Sequence, residues 1–100
     1  MKEKFGVYIL KSLRNGRYYV GSTNNVERRM FEHNSGFVTA TQSIRPLELK
    51  VFIECPTLAN SRICEYRLKE YKSSKIVEKV INSKIFPWEY GKIRTHSSIG

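Results

Sequence analysis

Residues 6–21, GVYILKSLRNGRYYVG, decide the fold, because two short strands flank a strong turn signal. The Asn15-Gly16 pair predicts a two-residue type I′ turn, and that turn would place Tyr19 opposite Ser12. Side chains alternate along a strand, so Tyr8 and Tyr19 are predicted to share one face of the sheet. In this register the two tyrosines lie apart along the strands, and a bulge or a longer loop is needed to make them neighbours.

The composition is that of a small basic globular domain. The chain has 100 residues, of which 40% are hydrophobic, so one compact core is expected. Eighteen basic and nine acidic side chains give a net charge of +9, which favours nucleic acid as a partner through phosphate neutralisation. An anionic membrane surface is the competing partner, but no basic amphipathic helix with a large apolar face stands out.

No apolar run approaches the roughly 20 residues that a bilayer span requires. The charged amino terminus is not followed by the apolar region of a signal peptide. We therefore expect no membrane association and an intracellular protein, either cytoplasmic or located in the nucleoid or nucleus.

The acidic side chains limit which kinds of catalytic site the chain can form, because all nine are glutamates and the chain has no aspartate. This excludes nucleases that hold two metal ions in an aspartate cluster. Phosphate-loop NTPases are disfavoured, since no G-x-x-x-x-G-K occurs. The cysteines, Cys55 and Cys64, and the histidines, His33 and His96, lack zinc-site spacing, so buried reduced thiols are expected. A catalytic metal ion would have to be bound by glutamate, backbone and water.

Periodicity predicts an α/β domain over residues 1–85, with a small, mainly antiparallel three-stranded sheet flanked by three or more helices. Strands are predicted at about residues 5–11, 17–22 and 47–55, and helices at about residues 24–34, 60–71 and 74–82. In the third strand the predicted common face comprises Leu47, Leu49, Val51 and Ile53. Asn24 is predicted to cap the first helix. The tail, residues 86–100, contains Trp88 and Tyr90, which suggest that part of it packs on the domain.

Two helices carry the candidate functional side chains. In the first, Arg28 and Glu32 are i,i+4 neighbours that can pair on the solvent face, whereas Arg29 has no obvious local partner. In the second, Glu65 is a single carboxylate on a cationic face formed by Arg62, Lys69 and Lys72. One interpretation of that face is a plain Glu65–Lys69 helix pair, and the other is a metal-binding glutamate on a phosphate-attracting surface.

The chain contains, in this order, the tripeptides Gly6-Val7-Tyr8 and Tyr19-Val20-Gly21, then Arg29 and then Glu65. These features resemble the GIY-YIG nuclease family, with valine in place of isoleucine in both tripeptides. The resemblance covers residues 5 to about 82. Arg29 lies ten positions after Tyr19, where the family has an arginine that binds the scissile phosphate. The segment 61–69 is similar to the family's helix with the metal-binding glutamate, although Ser61 stands where small standalone members commonly have alanine.

The resemblance implies an endonuclease that hydrolyses DNA phosphodiester bonds, in repair, recombination or processing, with Mg²⁺ or Mn²⁺ on Glu65. It implies that Arg29 binds the phosphate and that Tyr19 is the base, with His33 as the alternative base. Tyr8 would orient the water or hydrogen-bond to Tyr19. An asparagine completes the site in many members, and Asn82 is the candidate here, although its place near a helix end weakens the match.

Nucleic-acid contacts are expected from five cationic side chains: Arg28, Arg45, Arg62, Lys69 and Lys72. Lys75 and Lys79 could also follow the nucleic-acid backbone. Thr39, Thr41 and Arg45 lie in a loop that either touches substrate or is a polar connector. Selectivity would come from DNA structure or from a partner protein, or would be low. Two alternatives stay open: a non-catalytic nucleic-acid-binding module with the nuclease fold, and an RNA-binding protein.

Overall fold

The computed structural model describes residues 3–89, which form an α/β fold with a three-stranded antiparallel sheet and three α-helices. The strands are β1 (Gly6–Ser12), β2 (Tyr18–Thr23) and β3 (Leu47–Glu54). The α-helices are α1 (Val26–Asn34), α2 (Leu58–Glu70) and α3 (Ser74–Ser83). Two 3-10 helices occupy Gln42–Ile44 and Pro87–Glu89. The predicted fold class is confirmed, and no helix within residues 3–89 has the length and apolarity to cross a membrane.

The β1–β2 hairpin has a longer loop than the sequence predicts. Tyr19 pairs with Leu10, and Ser12 lies opposite Arg17 with its amide donating to the Arg17 carbonyl oxygen at 2.8 Å. The predicted two-residue turn, with Tyr19 opposite Ser12, is therefore wrong. The Ser12 Oγ atom accepts hydrogen bonds from the amides of Arg14 and Asn15, both at 3.1 Å, and so stabilises the wider loop.

The order of strands is β2-β1-β3, and β1 is the central strand. The pairing of β1 with β3 shifts between Ile9, which faces Val51, and Leu10, which faces Leu49. Lys50 is the extra residue of this bulge, and a bulge interrupts the alternation of side chains.

The bulge divides the apolar side chains of β3 between the two faces of the sheet. Leu47 packs with Tyr8 and Leu10 on one face, whereas Val51 and Ile53 pack on the other. The prediction that the four alternating side chains of β3 share one face is therefore wrong, because strict alternation ends at the bulge.

Helices cover both faces of the sheet. On one face, α2 and α3 contribute buried Cys64, Leu68, Val77 and Val80 to the larger apolar core. On the other, α1 contributes Val26 and Met30 to a smaller apolar cluster around Tyr8 and Leu10. We call these the α2 face and the α1 face of the sheet.

Each α-helix begins after a polar capping side chain. In α1 the cap is Asn25, not the predicted Asn24: the Asn25 backbone is extended and its Oδ1 accepts from the Arg28 amide at 3.0 Å. Asn24 instead accepts a hydrogen bond from the Arg28 side chain. Thr57 caps α2, which therefore begins two residues before the predicted start at Asn60, and Ser73 caps α3.

The predicted tail, residues 86–100, is described only as far as Glu89, so Tyr90 and His96 lie outside the described residues. Phe86 is 3% exposed and belongs to the core of the α2 face. Trp88 stacks on Phe86 with a centroid distance of 4.8 Å, and the Arg67 guanidinium lies 4.1 Å from the Trp88 ring centroid.

Candidate active site

Tyr8 lies at the centre of a buried polar network on the α1 face. Its hydroxyl oxygen is 2.8 Å from His33 Nε2 and accepts a hydrogen bond from Arg29 Nε at 3.3 Å. Tyr8 pairs with Gly21 across the hairpin, and a Cβ atom at Gly21 would collide with the Tyr8 ring and hydroxyl. The glycine of the second tripeptide is thus needed for the position of the tyrosine of the first.

His33 links Tyr8 to the loop that follows α1. Its Nδ1 atom is 2.7 Å from Thr41 Oγ1, and both His33 and Thr41 are fully buried. Each ring nitrogen therefore has a hydroxyl partner, one nitrogen as donor and the other as acceptor. Burial, assisted by the positive charge of Arg29, lowers the His33 pKa to about 4. The ring is neutral at pH 7, and neither nitrogen is available to a substrate in this arrangement.

Burial also raises the pKa of Tyr8 to about 12, so Tyr8 keeps its proton near neutral pH. Tyr8 and His33 together form a neutral scaffold.

Tyr19 lies beside this scaffold but differs from Tyr8 in its surroundings. Its ring centroid is 6.4 Å from that of Tyr8 and 5.2 Å from that of His33. The side chain is half-buried, and within residues 3–89 the hydroxyl makes no hydrogen bond. The sequence correctly predicts that both tyrosines share a face. The longer hairpin loop brings them together, which the predicted register alone would not do. Of Tyr8 and Tyr19, Tyr19 is consequently the one whose oxygen is available to a ligand.

Arg29 bridges the network and the solvent. Its Nη1 atom donates to Glu32 Oε1 at 2.9 Å, so the expectation that Arg29 has no local partner is wrong. Glu32 lies three residues further along the same helix and also pairs with Arg28, at 3.6 Å. The hydrogen bond to Tyr8 is the main cause that raises the pKa of Arg29, so the guanidinium stays charged. One third of its side chain is exposed, which leaves part of the fork open to a ligand.

Glu65 lies on the other side of the sheet, beside Ser22, which pairs with Val7 of the α2 face. It projects from α2, which packs on the α2 face, but β2 is an edge strand and side chains can pass around it. The carboxylate accepts hydrogen bonds from Ser22 Oγ at 2.6 Å and from Lys69 Nζ at 2.7 Å. The Lys69 ammonium also lies 5.7 Å from the Tyr19 ring centroid. Lys69 thus connects the carboxylate to the tyrosine cluster. Tyr8 links Arg29 to Tyr19, and Lys69 links Tyr19 to Glu65. We call the region that contains Tyr19, Arg29 and Glu65 the cleft.

The oxygen atoms at Glu65 suit a hard divalent cation. Mg²⁺ is commonly held by one or two carboxylates, with waters and substrate phosphate completing its coordination. Residues 3–89 contain no group of three or more His, Cys, Asp or Glu side chains that could form an all-protein cage. A single carboxylate beside the Ser22 hydroxyl fits the more open type of site. Glu65 is the side chain that would hold the ion, and Lys69 now neutralises that carboxylate.

The other predicted contact residues lie outside this cluster. Arg62 is exposed on α2, and Lys72 is exposed just after the helix. Arg45 is also exposed, but its Nε atom donates to the Gln42 carbonyl oxygen at 2.9 Å. Asn82 is exposed near the end of α3, and no hydrogen bond joins it to a cleft residue within the described range.

Three side chains of the site are not identified by the sequence analysis as partners. Ser22 binds Glu65, Glu32 binds Arg29, and Thr41 binds His33. The i,i+3 spacing of Arg29 and Glu32 could have revealed that pair. Ser22 and Glu65 are 43 positions apart, and no local pattern connects residues on different elements.

Comparison with family models identifies the family of this chain. The model described as the GIY-YIG catalytic domain matches residues 4–90, which is most of the chain. Comparisons with curated proteins and with solved structures found no match. The family match covers both strands of the hairpin and the helices that carry Arg29 and Glu65. The chain belongs to the GIY-YIG catalytic domain family.

Proposed function

We propose that this chain hydrolyses DNA phosphodiester bonds as a metal-dependent endonuclease. The family generally comprises endonucleases, and a nuclease domain implies a nucleic-acid substrate. The observation that best supports the proposal is a chain of contacts that links three different groups: Arg29 bonds to Tyr8, the Tyr8 ring lies 6.4 Å from that of Tyr19, and Lys69 links Tyr19 to Glu65. Within residues 3–89 the Tyr19 hydroxyl has no hydrogen-bond partner, Arg29 has a part-exposed guanidinium, and Lys69 joins Glu65 to the Tyr19 ring.

Arg29 is the proposed phosphate ligand. A guanidinium presents a planar fork of donors that matches two oxygens of a phosphate. These hydrogen bonds strengthen as negative charge develops on the oxygens. The hydrogen bonds to Tyr8 and Glu32 fix the orientation of this fork before substrate arrives. Arg29 would therefore bind the non-bridging oxygens with little loss of side-chain freedom.

Tyr19 is the proposed general base, which takes a proton from the attacking water. A phenol acts as a general base in its deprotonated form. Lys69 lies over the ring, and Arg29 is anchored to the neighbouring Tyr8. His33 is not assigned as the base, because both of its nitrogens are engaged in the buried network. We assign positioning roles to Tyr8, His33 and Thr41.

Glu65 would hold the divalent cation, Mg²⁺ or Mn²⁺, with Ser22 orienting the carboxylate. When bound, such an ion supplies positive charge next to the phosphoryl group and the leaving oxygen. Lys69, which pairs with this carboxylate, would contact the nucleic-acid backbone. The proposed biological setting is DNA repair, recombination or processing, with selectivity from DNA structure or a partner protein.

The test is cleavage of labelled branched, nicked and single-stranded DNA with Mg²⁺ or Mn²⁺. We expect the wild-type protein to cleave at least one of these substrates and Glu65→Gln to lose about 10²–10³-fold in rate, comparable to the loss of other groups that stabilise transition-state charge. Glu70→Gln, an equal change at an exposed position of the same helix, should keep wild-type activity.

Binding without cleavage of any substrate would support the alternative, a non-catalytic nucleic-acid-binding module. Cleavage by Glu65→Gln at the wild-type rate would show that the carboxylate does not hold the metal ion.

A further inference from the structure

A groove of about 600 Å³ lies between the β1–β2 hairpin and the junction of α2 and α3. Its lining includes Val20, Leu68 and Val77, which are buried apolar side chains of the α2 face. Tyr18 also lines the groove and connects its two sides, because its hydroxyl donates to Glu78 Oε2 on α3 at 3.3 Å. The groove therefore has apolar and aromatic surface along one strand of the hairpin.

The polar lining of the groove is mainly cationic. Four of its side chains are basic, namely Lys11, Arg17, Lys69 and Lys72, and Glu78 is the acidic one. Two of the basic residues come from the hairpin, Lys69 comes from the last turn of α2, and Lys72 comes just after that helix. Cations on opposite sides of a groove produce a positive potential that attracts a polyanion into it.

The size and chemistry of the groove suit one strand of nucleic acid. Its volume lies within the roughly 300–1,000 Å³ range of small-ligand sites. A groove of this size is too small for a double helix. Proteins that bind single strands combine a basic groove with aromatic rings on which bases stack. Tyr18 supplies such a ring, with the Lys11 ammonium 5.7 Å from its centroid.

The groove is continuous with the cleft, because Tyr19 and Lys69 line the groove and also belong to the region around Glu65. We propose that the groove binds a single-stranded arm of DNA adjoining the scissile phosphate, so that the preferred substrate has an unpaired strand beside the cleavage site. The position of that arm relative to the cut rests on the proposed function, whereas single-strand binding in the groove can be tested separately.

The test measures binding without cleavage. Fluorescence anisotropy of a labelled oligo-dT and of a blunt hairpin duplex is followed in EDTA across a range of NaCl concentrations. Lys11→Gln/Arg17→Gln removes two groove cations, and Arg14→Gln/Lys50→Gln removes two exposed cations that do not line the groove. Each single-strand phosphate contact contributes about 0.7 to the slope of log affinity against log salt. The groove variant should therefore reduce the oligo-dT slope by about 1.4, and the control should leave it unchanged.

A second variant tests the aromatic contact. Tyr18→Leu should weaken oligo-dT binding about tenfold, since stacking on one aromatic ring contributes about 1–3 kcal/mol per base. Tyr18→Phe keeps the ring, loses only the hydrogen bond to Glu78, and should bind as the wild type does. Thermal unfolding of each variant shows whether a loss of binding comes from loss of the fold.

Equal salt slopes for the groove variant and its control would overturn the proposal, and so would unchanged oligo-dT affinity in folded Tyr18→Leu. A wild-type protein that cleaves blunt duplex as fast as duplex with a single-stranded arm would also overturn it, while supporting the proposed nuclease function. Conversely, a protein that cleaves nothing but shows the predicted slope difference would refute the nuclease function and support the groove as a single-strand site.

Discussion

Removing the hydroxyl of each of three tyrosines separates a structural role from a catalytic one. Tyr8 is 1% exposed, and in Tyr8→Phe its hydroxyl is lost together with the hydrogen bonds to His33 and Arg29. His33 Nε2 then has no partner in a buried site, and an unsatisfied buried polar group costs about 1–3 kcal/mol. In a domain of this size, each kcal/mol lowers Tm by about 4–8 °C.

Tyr18→Phe is the matched control for Tyr8→Phe. The Tyr18 hydroxyl makes a single 3.3 Å hydrogen bond to Glu78 in an exposed setting. Its removal should change the free energy of unfolding by no more than about 0.5 kcal/mol. Circular dichroism during heating at pH 7 compares the two variants. Equal Tm values for Tyr8→Phe and Tyr18→Phe would refute the inference that the buried network stabilises the domain.

Tyr19→Phe should show the opposite combination of effects. Its hydroxyl makes no hydrogen bond within the described residues, so Tm should stay close to that of the wild type. Loss of a general base typically lowers the rate by about 10²–10⁴-fold, and we expect a decrease of that size in single-turnover cleavage, with DNA binding unchanged. A fully active Tyr19→Phe protein would exclude Tyr19 as the base.

Two further predictions concern stability. The unfolded state takes up a proton on His33 near pH 6.5, whereas the folded state resists protonation down to about pH 4, so folding stability should fall by up to about 3 kcal/mol as pH decreases through that window. Urea unfolding at intervals of pH measures this loss, and His33→Gln should remove that part of the pH dependence; an unchanged profile would contradict the burial of a neutral His33. Phe86 lies beyond the predicted domain boundary at residue 85, yet it is packed in the core, so Phe86→Ala should cost about 3–5 kcal/mol. A much smaller loss in denaturant unfolding would support the boundary at residue 85.

Local chemistry is sufficient to predict most of the secondary structure. The three strands and three helices lie within a few residues of their predicted positions, because alternation, helical period and capping preferences act between near neighbours. Motif spacing is also what selects Arg29 and Glu65 as candidate site residues. The capping error at α1 is one residue, since Asn24 and Asn25 are chemically equivalent and only the backbone conformation selects between them.

Contacts between distant residues decide the rest of the site. The hydrogen bond between Tyr8 and His33 joins residues 25 positions apart, and the one between Ser22 and Glu65 joins residues 43 positions apart. Such pairs depend on how α1 and α2 pack against the sheet. The approach of Lys69, from α2, to the Tyr19 ring on the α1 face further depends on β2 being the edge strand, which is a property of the assembled sheet.

The β1–β2 hairpin has one feature that the sequence determines and another that only the folded structure determines. The shared face of Tyr8 and Tyr19 is determined by the sequence alone, because strand side chains repeat every two residues and the actual register differs from the predicted one by an even number. The distance between the two rings is determined only in the folded protein, where Ser12 stabilises a longer loop and Gly21 leaves space for the Tyr8 ring. Alternation is a property of each strand by itself, whereas register depends on free energies of loop closure and packing that involve both strands and the helix above them.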